Sequence, residues 1–200
     1  MMLHIAEGLC DHLRELYRSG GRAYHNWAHV EEVLHRFDEV ARDVGWYQPR
    51  EVFLALLFHD AVYIAGMGDN EQRSAVLARQ SIQQWMPREG IDVDRVADLI
   101  RATARHGFCS PDEVDSDQAL FLDCDMAILG SDPEVFDAYE AAIAREYAAV
   151  EPALFRRGRR QFVERLLASD QIYLSSYFQY LLEYRARQNL RRSLSALHQG

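Results

Sequence analysis

Three short stretches of this chain hold the residues that could do chemistry. The first is Tyr24-His25-Asn26-Trp27-Ala28-His29, whose two histidines stand four positions apart and on a helix would share a face. The second is Leu56-Leu57-Phe58-His59-Asp60-Ala61-Val62-Tyr63, where a His and an Asp interrupt a strongly apolar run. Burying an ionised carboxylate without a partner is expensive, so a cation beside Asp60 would compensate it. Imidazole and carboxylate are ordinary ligands for first-row divalent metals. The third is Phe121-Leu122-Asp123-Cys124-Asp125-Met126-Ala127-Ile128-Leu129, again with carboxylates inside an apolar run. Asp123 and Asp125 fall about 200° apart on a helix. One is therefore expected as a direct ligand and the other as a supporting partner or a cap. Each stretch alone has a plainer reading: local hydrogen bonds for the histidine pair, a buried His–Asp or Asp–Arg pair for the doublet.

The elements that must position these residues read as helices almost throughout. Leu3, Leu9, Leu13, Leu16 and Tyr17 form one apolar stripe, and Val30, Val33, Leu34, Phe37 and Val40 form another that ends near Gly45. Residues 52–64 are too long an apolar run for a typical strand and read as a buried helix starting after Pro49. Gly66-Met67-Gly68 breaks it, and Asp69 with Gln72 is expected to cap the next helix, which runs to about Met86. Further helices are expected over 93–105, 119–129, 133–150, 153–168 and 173–197, with a loop at 107–117. No period-2 strand pattern, repeat or low-complexity linker is present. The expected architecture is all-α, one domain over 1–200.

An H…HD…D series on successive helices resembles the HD superfamily of metal-dependent phosphohydrolases. The resemblance extends through Arg22-x-Tyr24-His25-Asn26-x-x-His29, Phe58-His59-Asp60-x-Val62-Tyr63, Asn70-Glu71-x-x-Ser74, Thr103-x-x-His106, Asp123-x-Asp125 and Glu183-x-Arg185-Ala186-Arg187-x-Asn189-Leu190. That series looks like a small bacterial group of HD-domain proteins expected to be phosphohydrolases. The resemblance implies an HD-domain helical bundle, with the metal site built from about 22–130 and the C-terminal helices packing on it. It implies His29, His59, Asp60 and Asp125 as ligands of one divalent ion, with Mn, Fe, Ni, Co, Zn and Mg all open. Asp125 is preferred to Asp123 because it matches the Asp of the family's A-D-x-L-like motif. The Y-H-N-x-x-H spacing is also similar to cyclic-nucleotide phosphodiesterases, which maps a general-acid role onto His25.

The resemblance further implies a metal-activated water attacking phosphorus, with Asp60 and Glu71 among the catalytic residues and Glu71 orienting the water. Arg22 is expected to bind a phosphate oxygen, since a guanidinium fork suits that geometry. Thr103 and His106 are expected to line the substrate pocket. The plainer readings are a surface ion pair for Arg22, a first-turn acid for Glu71 and a helix-terminal cap for His106. Binuclear HD proteins need more histidines between the doublet and the last Asp, so one metal is expected. The implied substrate is a small phosphorylated molecule such as a nucleotide. The rival readings are a non-catalytic, metal-containing nucleotide sensor and an HD-type iron oxygenase.

Composition narrows the classes further. With 31 acidic and 22 basic residues the 200-residue chain has a net charge of -9, which disfavours a nucleic-acid polymer or an anionic membrane as partner. Every basic residue is Arg, so Schiff-base and P-loop lysines are excluded. Three cysteines (Cys10, Cys109, Cys124) without C-x-x-C spacing argue against a disulfide framework and a cysteine-rich zinc site. No signal peptide or transmembrane run is evident, and a cytoplasmic setting is expected. His4, His12, His35 and His198 fit no motif. Arg156, Arg157, Arg159 and Arg160 are expected on a solvated face with Glu151 and Glu164. Tyr173, Tyr177, Phe178, Tyr180, Leu181 and Tyr184 are expected in the core or on a homodimer surface.

Overall fold

Prolines and capping side chains mark the helix starts. In the computed structural model, which describes Ile5 and residues 7–199, nine α-helices are found and no strand among the described residues. Leu3 and His4 lie outside the described residues. The chain gathers into two compact units, Met1–Arg105 and His106–Gly200. No described helix is long and apolar enough to cross a membrane.

The first unit holds α1 (Glu7–Arg18), α2 (Trp27–Asp43), α3 (Pro49–Phe58), α4 (Asn70–Trp85) and α5 (Val93–Ala102). Asn26 caps α2 by accepting from the Ala28 N–H at 2.9 Å, and Asp92 caps α5 in the same way through the Arg95 N–H at 3.0 Å. The centre of the unit is α3, which packs against α2, α4 and α5. Its Val52 and Leu54 to Phe58 are buried on every side, as an all-round apolar helix should be.

The helix read over 52–64 stops at Phe58, six residues early. Side chains take the backbone groups that a longer helix would use. Tyr17 Oη donates to the Leu57 carbonyl (3.0 Å) and accepts from the Asp60 N–H (3.3 Å). Arg22 donates to the Asp60 and Ala61 carbonyls, at 2.6 and 3.1 Å. Ser74 takes both the N–H and the carbonyl of Val62. The expected Asp69 cap is also absent, since its side chain makes no capping bond. The first residue of α4, Asn70, instead turns back to the preceding loop.

The second unit holds α6 (Ser116–Met126), α7 (Pro133–Glu146), α8 (Pro152–Ala168) and α9 (Ser176–Gln199). Here α9 packs against α8 and the tight turn Ala127–Gly130. Gly130 permits the approach: a Cβ there would sit 2.6 Å from the Leu182 Cβ. Asn189 Nδ2 donates to the Leu129 and Ser131 carbonyls, both at 2.9 Å. Glu183 accepts from the Ile172 N–H at 3.0 Å, and Arg187 donates to the Ser169 and Asp170 carbonyls at 2.9 Å. The Glu183/Arg187/Asn189 series is therefore a strap for the loop before α9 and the turn after α6. Arg159 departs from the solvated face expected of it: it is half-buried, paired with Glu140 and bonded to the Tyr139 hydroxyl. Tyr173 and Phe178 are core, while Tyr180, Leu181 and Tyr184 are exposed.

Candidate metal centre

The inward face of α2 carries His29 beside Val30 and Val33, and the end of α3 delivers His59 and Asp60 opposite it. His29 Nε2 lies 3.1 Å from His59 Nε2 and 3.9 Å from Asp60 Oδ2. His59 Nε2 lies 3.1 Å from the same Asp60 oxygen. Three donor atoms thus face one point. Two neighbouring ligands about 2.1 Å from an octahedral ion stand roughly 3 Å apart, which these separations approach. Both imidazoles are buried.

His59 Nδ1 is 2.8 Å from the Leu56 carbonyl, which can only accept, so Nδ1 carries the proton. In the neutral ring Nε2 is then a lone pair, and it faces a carboxylate oxygen. Two electron-rich atoms at hydrogen-bond distance require a positive charge between or upon them, either a proton or a metal ion. A histidine whose second nitrogen is fixed by a backbone carbonyl is the usual arrangement of a metal ligand.

His25 precedes the cap of α2 and so lies in the entry turn, not on the helix face expected from its spacing. It nevertheless reaches the cluster, with its ring centroid 6.0 Å from that of His29 and 4.0 Å from that of Tyr63. Arg22 is a brace for the backbone: besides Asp60 and Ala61 it donates to the His25 carbonyl at 3.2 Å. Its fork joins the two histidine motifs through carbonyls, where a phosphate contact was expected. Glu71 sits half-buried in the first turn of α4 and makes no hydrogen bond or ion pair with the three donors. Thr103 is buried, with its hydroxyl donating to the Ile100 carbonyl at 2.8 Å.

In the second unit the two aspartates separate by role. Asp123 accepts from the Leu174 and Ser175 N–H groups and from the Ser175 hydroxyl, at 2.8, 2.7 and 2.6 Å. It is the anchor of the loop that leads into α9. Burial pushes its carboxyl up to about 6, and the three donors hold it against a larger rise. Asp125 is partly exposed and lies 2.7 Å from His106 Nε2 through Oδ2. His106, expected at substrate, is thus a partner of Asp125. Asp125 offers a carboxylate oxygen suited to holding a metal ion. His12, His35 and His198 are exposed.

Sequence reasoning missed Tyr17, Tyr63 and Ser74 as parts that shape this site. Ser74 and Tyr63 stood inside the quoted motifs, but nothing in their spacing announced their contacts. Comparison with family models, curated proteins and solved structures finds no match to this chain.

Proposed function

We propose that this chain is an HD-type, divalent-metal-dependent phosphohydrolase acting on a small phosphorylated molecule, a nucleotide in the first instance. The observation that carries the reading is the convergence of His29 Nε2, His59 Nε2 and Asp60 Oδ2 around a point that needs positive charge. His29, His59 and Asp60 would hold the ion, with Asp125 as the fourth ligand that the sequence resemblance adds. A divalent ion so held supplies a water acidified toward about 7 and a Lewis acid for a phosphoryl oxygen.

The chain's own residues do the rest. His59 is locked in its ligand tautomer by the Leu56 carbonyl. Arg22 holds the His59–Asp60 turn and the His25 backbone in one frame. His25 gives its proton to the departing oxygen as the P–O ester bond breaks and a water oxygen bonds to phosphorus. The proton shed by that water restores the imidazolium, so the sum is ester plus water to alcohol plus phosphate. Glu71 stays in the proposal as the residue that would orient the water, and Thr103 as one that would contact substrate. The buried or half-buried free cysteines accord with a reduced, cytoplasmic setting, and a homodimer through α9 accords with its exposed tyrosines.

The test is phosphate release from a panel of nucleotides and sugar phosphates by metal-stripped protein. Mn, Mg, Co, Ni, Fe and Zn are added back singly, with Asp60→Ala as control. Activity restored by metal and absent from the variant supports a phosphohydrolase. Stoichiometric metal with no turnover moves the assignment to a nucleotide sensor, and two irons per chain move it to an oxygenase.

A further inference from the structure

The loop between α3 and α4 is held by two buried side chains of α4. Ser74 Oγ accepts from the Val62 N–H at 3.0 Å and donates to the Val62 carbonyl at 3.1 Å. Asn70 accepts from the Ile64 N–H and donates to the Ile64 carbonyl, both at 3.0 Å. Tyr63 lies between these two clamped residues, so its backbone is fixed from both sides. Its ring stacks on the His25 imidazole, with centroids 4.0 Å apart and planes 23° apart. The Arg22 guanidinium stands 5.9 Å from the same ring centroid and binds the His25 carbonyl.

We propose that Tyr63 is a positioning residue that sets the plane of the His25 imidazole, with Ser74 and Asn70 fixing Tyr63 in turn. The inference rests on the reading of His25 as the proton donor. His25 stands in the turn before α2, where its ring meets Tyr24 and His29 only edge-on, at 5.0 and 6.0 Å between centroids, and an imidazole ring turns broadly about its second torsion unless packing holds it. A face-to-face stack restricts that rotation. Orientation matters in proportion: a displacement of about 1 Å at a reacting group can cost on the order of 100-fold in rate. A phenyl ring presents the same face to the imidazole, so Phe keeps the stack.

Two probes separate positioning from general support. A nucleoside 5′-monophosphate leaves an alkoxide that needs a proton, whereas p-nitrophenyl phosphate leaves a stable anion that does not. In metal-restored protein, Tyr63→Leu is expected to lower kcat on the nucleotide by roughly 10- to 100-fold, with KM and p-nitrophenyl phosphate turnover within about threefold. Tyr63→Phe is expected to restore the nucleotide rate. Independently of turnover, NMR of the metal-free protein should show the His25 ring protons shifted upfield by the stacked ring in the parent and in Tyr63→Phe, and downfield of that in Tyr63→Leu. Tyr63→Met gives the same comparison if the Leu variant does not fold. Equal slowing of both probes, no slowing of either, or unmoved His25 resonances overturns the positioning role. A parent protein inactive on both probes overturns the phosphohydrolase reading instead, and the NMR comparison still decides whether Tyr63 orients His25.

Discussion

At the scale of single residues, His59 and Asp60 are held in opposite ways. The imidazole is fixed by its Nδ1 proton on the Leu56 carbonyl, while the carboxylate is placed through its backbone, whose N–H and carbonyl are gripped by Tyr17 and Arg22. Removing either side chain deletes one of three convergent donors and leaves the others facing one another. His59→Ala and Asp60→Ala are each expected to lose stoichiometric metal, measured by elemental analysis of protein equilibrated with Mn or Zn. Retained metal in both would sink the ligand assignment. His25→Ala is expected to keep the metal, because its ring stands beside His29 and is not among the three donors.

At the scale of elements, the end of α3 is decided by side chains from elsewhere in the first unit. Arg22 carries the largest share, with hydrogen bonds to the carbonyls of His25, Asp60 and Ala61. Charged hydrogen bonds contribute about 1.5–3 kcal/mol each, though not additively. Arg22→Ala is expected to cost about 3 kcal/mol of stability and to weaken metal binding more than tenfold, read by denaturant unfolding and metal titration. Arg22→Lys should recover little, since one ammonium cannot reproduce the fork. In the second unit, Asp123 ties the loop before α9. Its carboxyl is raised from 3.8 to about 6, so the folded state holds this proton more tightly than the unfolded chain. The contribution is therefore fully present below about pH 4 and is lost as pH rises through 6. Stability of the parent relative to Asp123→Asn should fall by up to about 3 kcal/mol between pH 4 and pH 7. A difference that grows with pH would show that the three donors outweigh burial.

At the scale of the whole molecule, a ligand that binds only the folded chain stabilises it by mass action. At 100 times its dissociation constant a divalent ion should add about 2.7 kcal/mol. The melting temperature of the parent is expected to rise with added metal and to fall with a chelator, and His59→Ala should show neither change. An equal rise in parent and variant would locate the binding elsewhere. A net charge of -9 is expected to disfavour polyanions as partners. A nucleic-acid filter-binding assay at low salt should accordingly show no retention.

The all-α class was legible from periodicity alone, because residues such as Val30, Val33 and Val40 repeat at helical spacing and are the ones α2 buries. That the His59–Asp60 doublet needs a partner was legible too, since a charged pair inside Leu54–Ala61 demands one wherever the chain folds, and the resemblance to the HD series is what joined His29 to it. What the chain order left hidden was where the helix holding that doublet stops. Apolar character continues to Ile64, but the Tyr17 hydroxyl, the Arg22 fork and the Ser74 hydroxyl capture the backbone after Phe58. These partners lie from 12 to 43 positions away, beyond any local pattern. The same distance hid the particular partners of Asp123 and Arg22. That one aspartate would be a supporting partner was legible, but not that Asp123 anchors a loop 51 residues away, nor that the Arg22 guanidinium grips a carbonyl 38 residues away. Residue type sets which interactions a side chain can make, and only the folded chain selects which partner it meets.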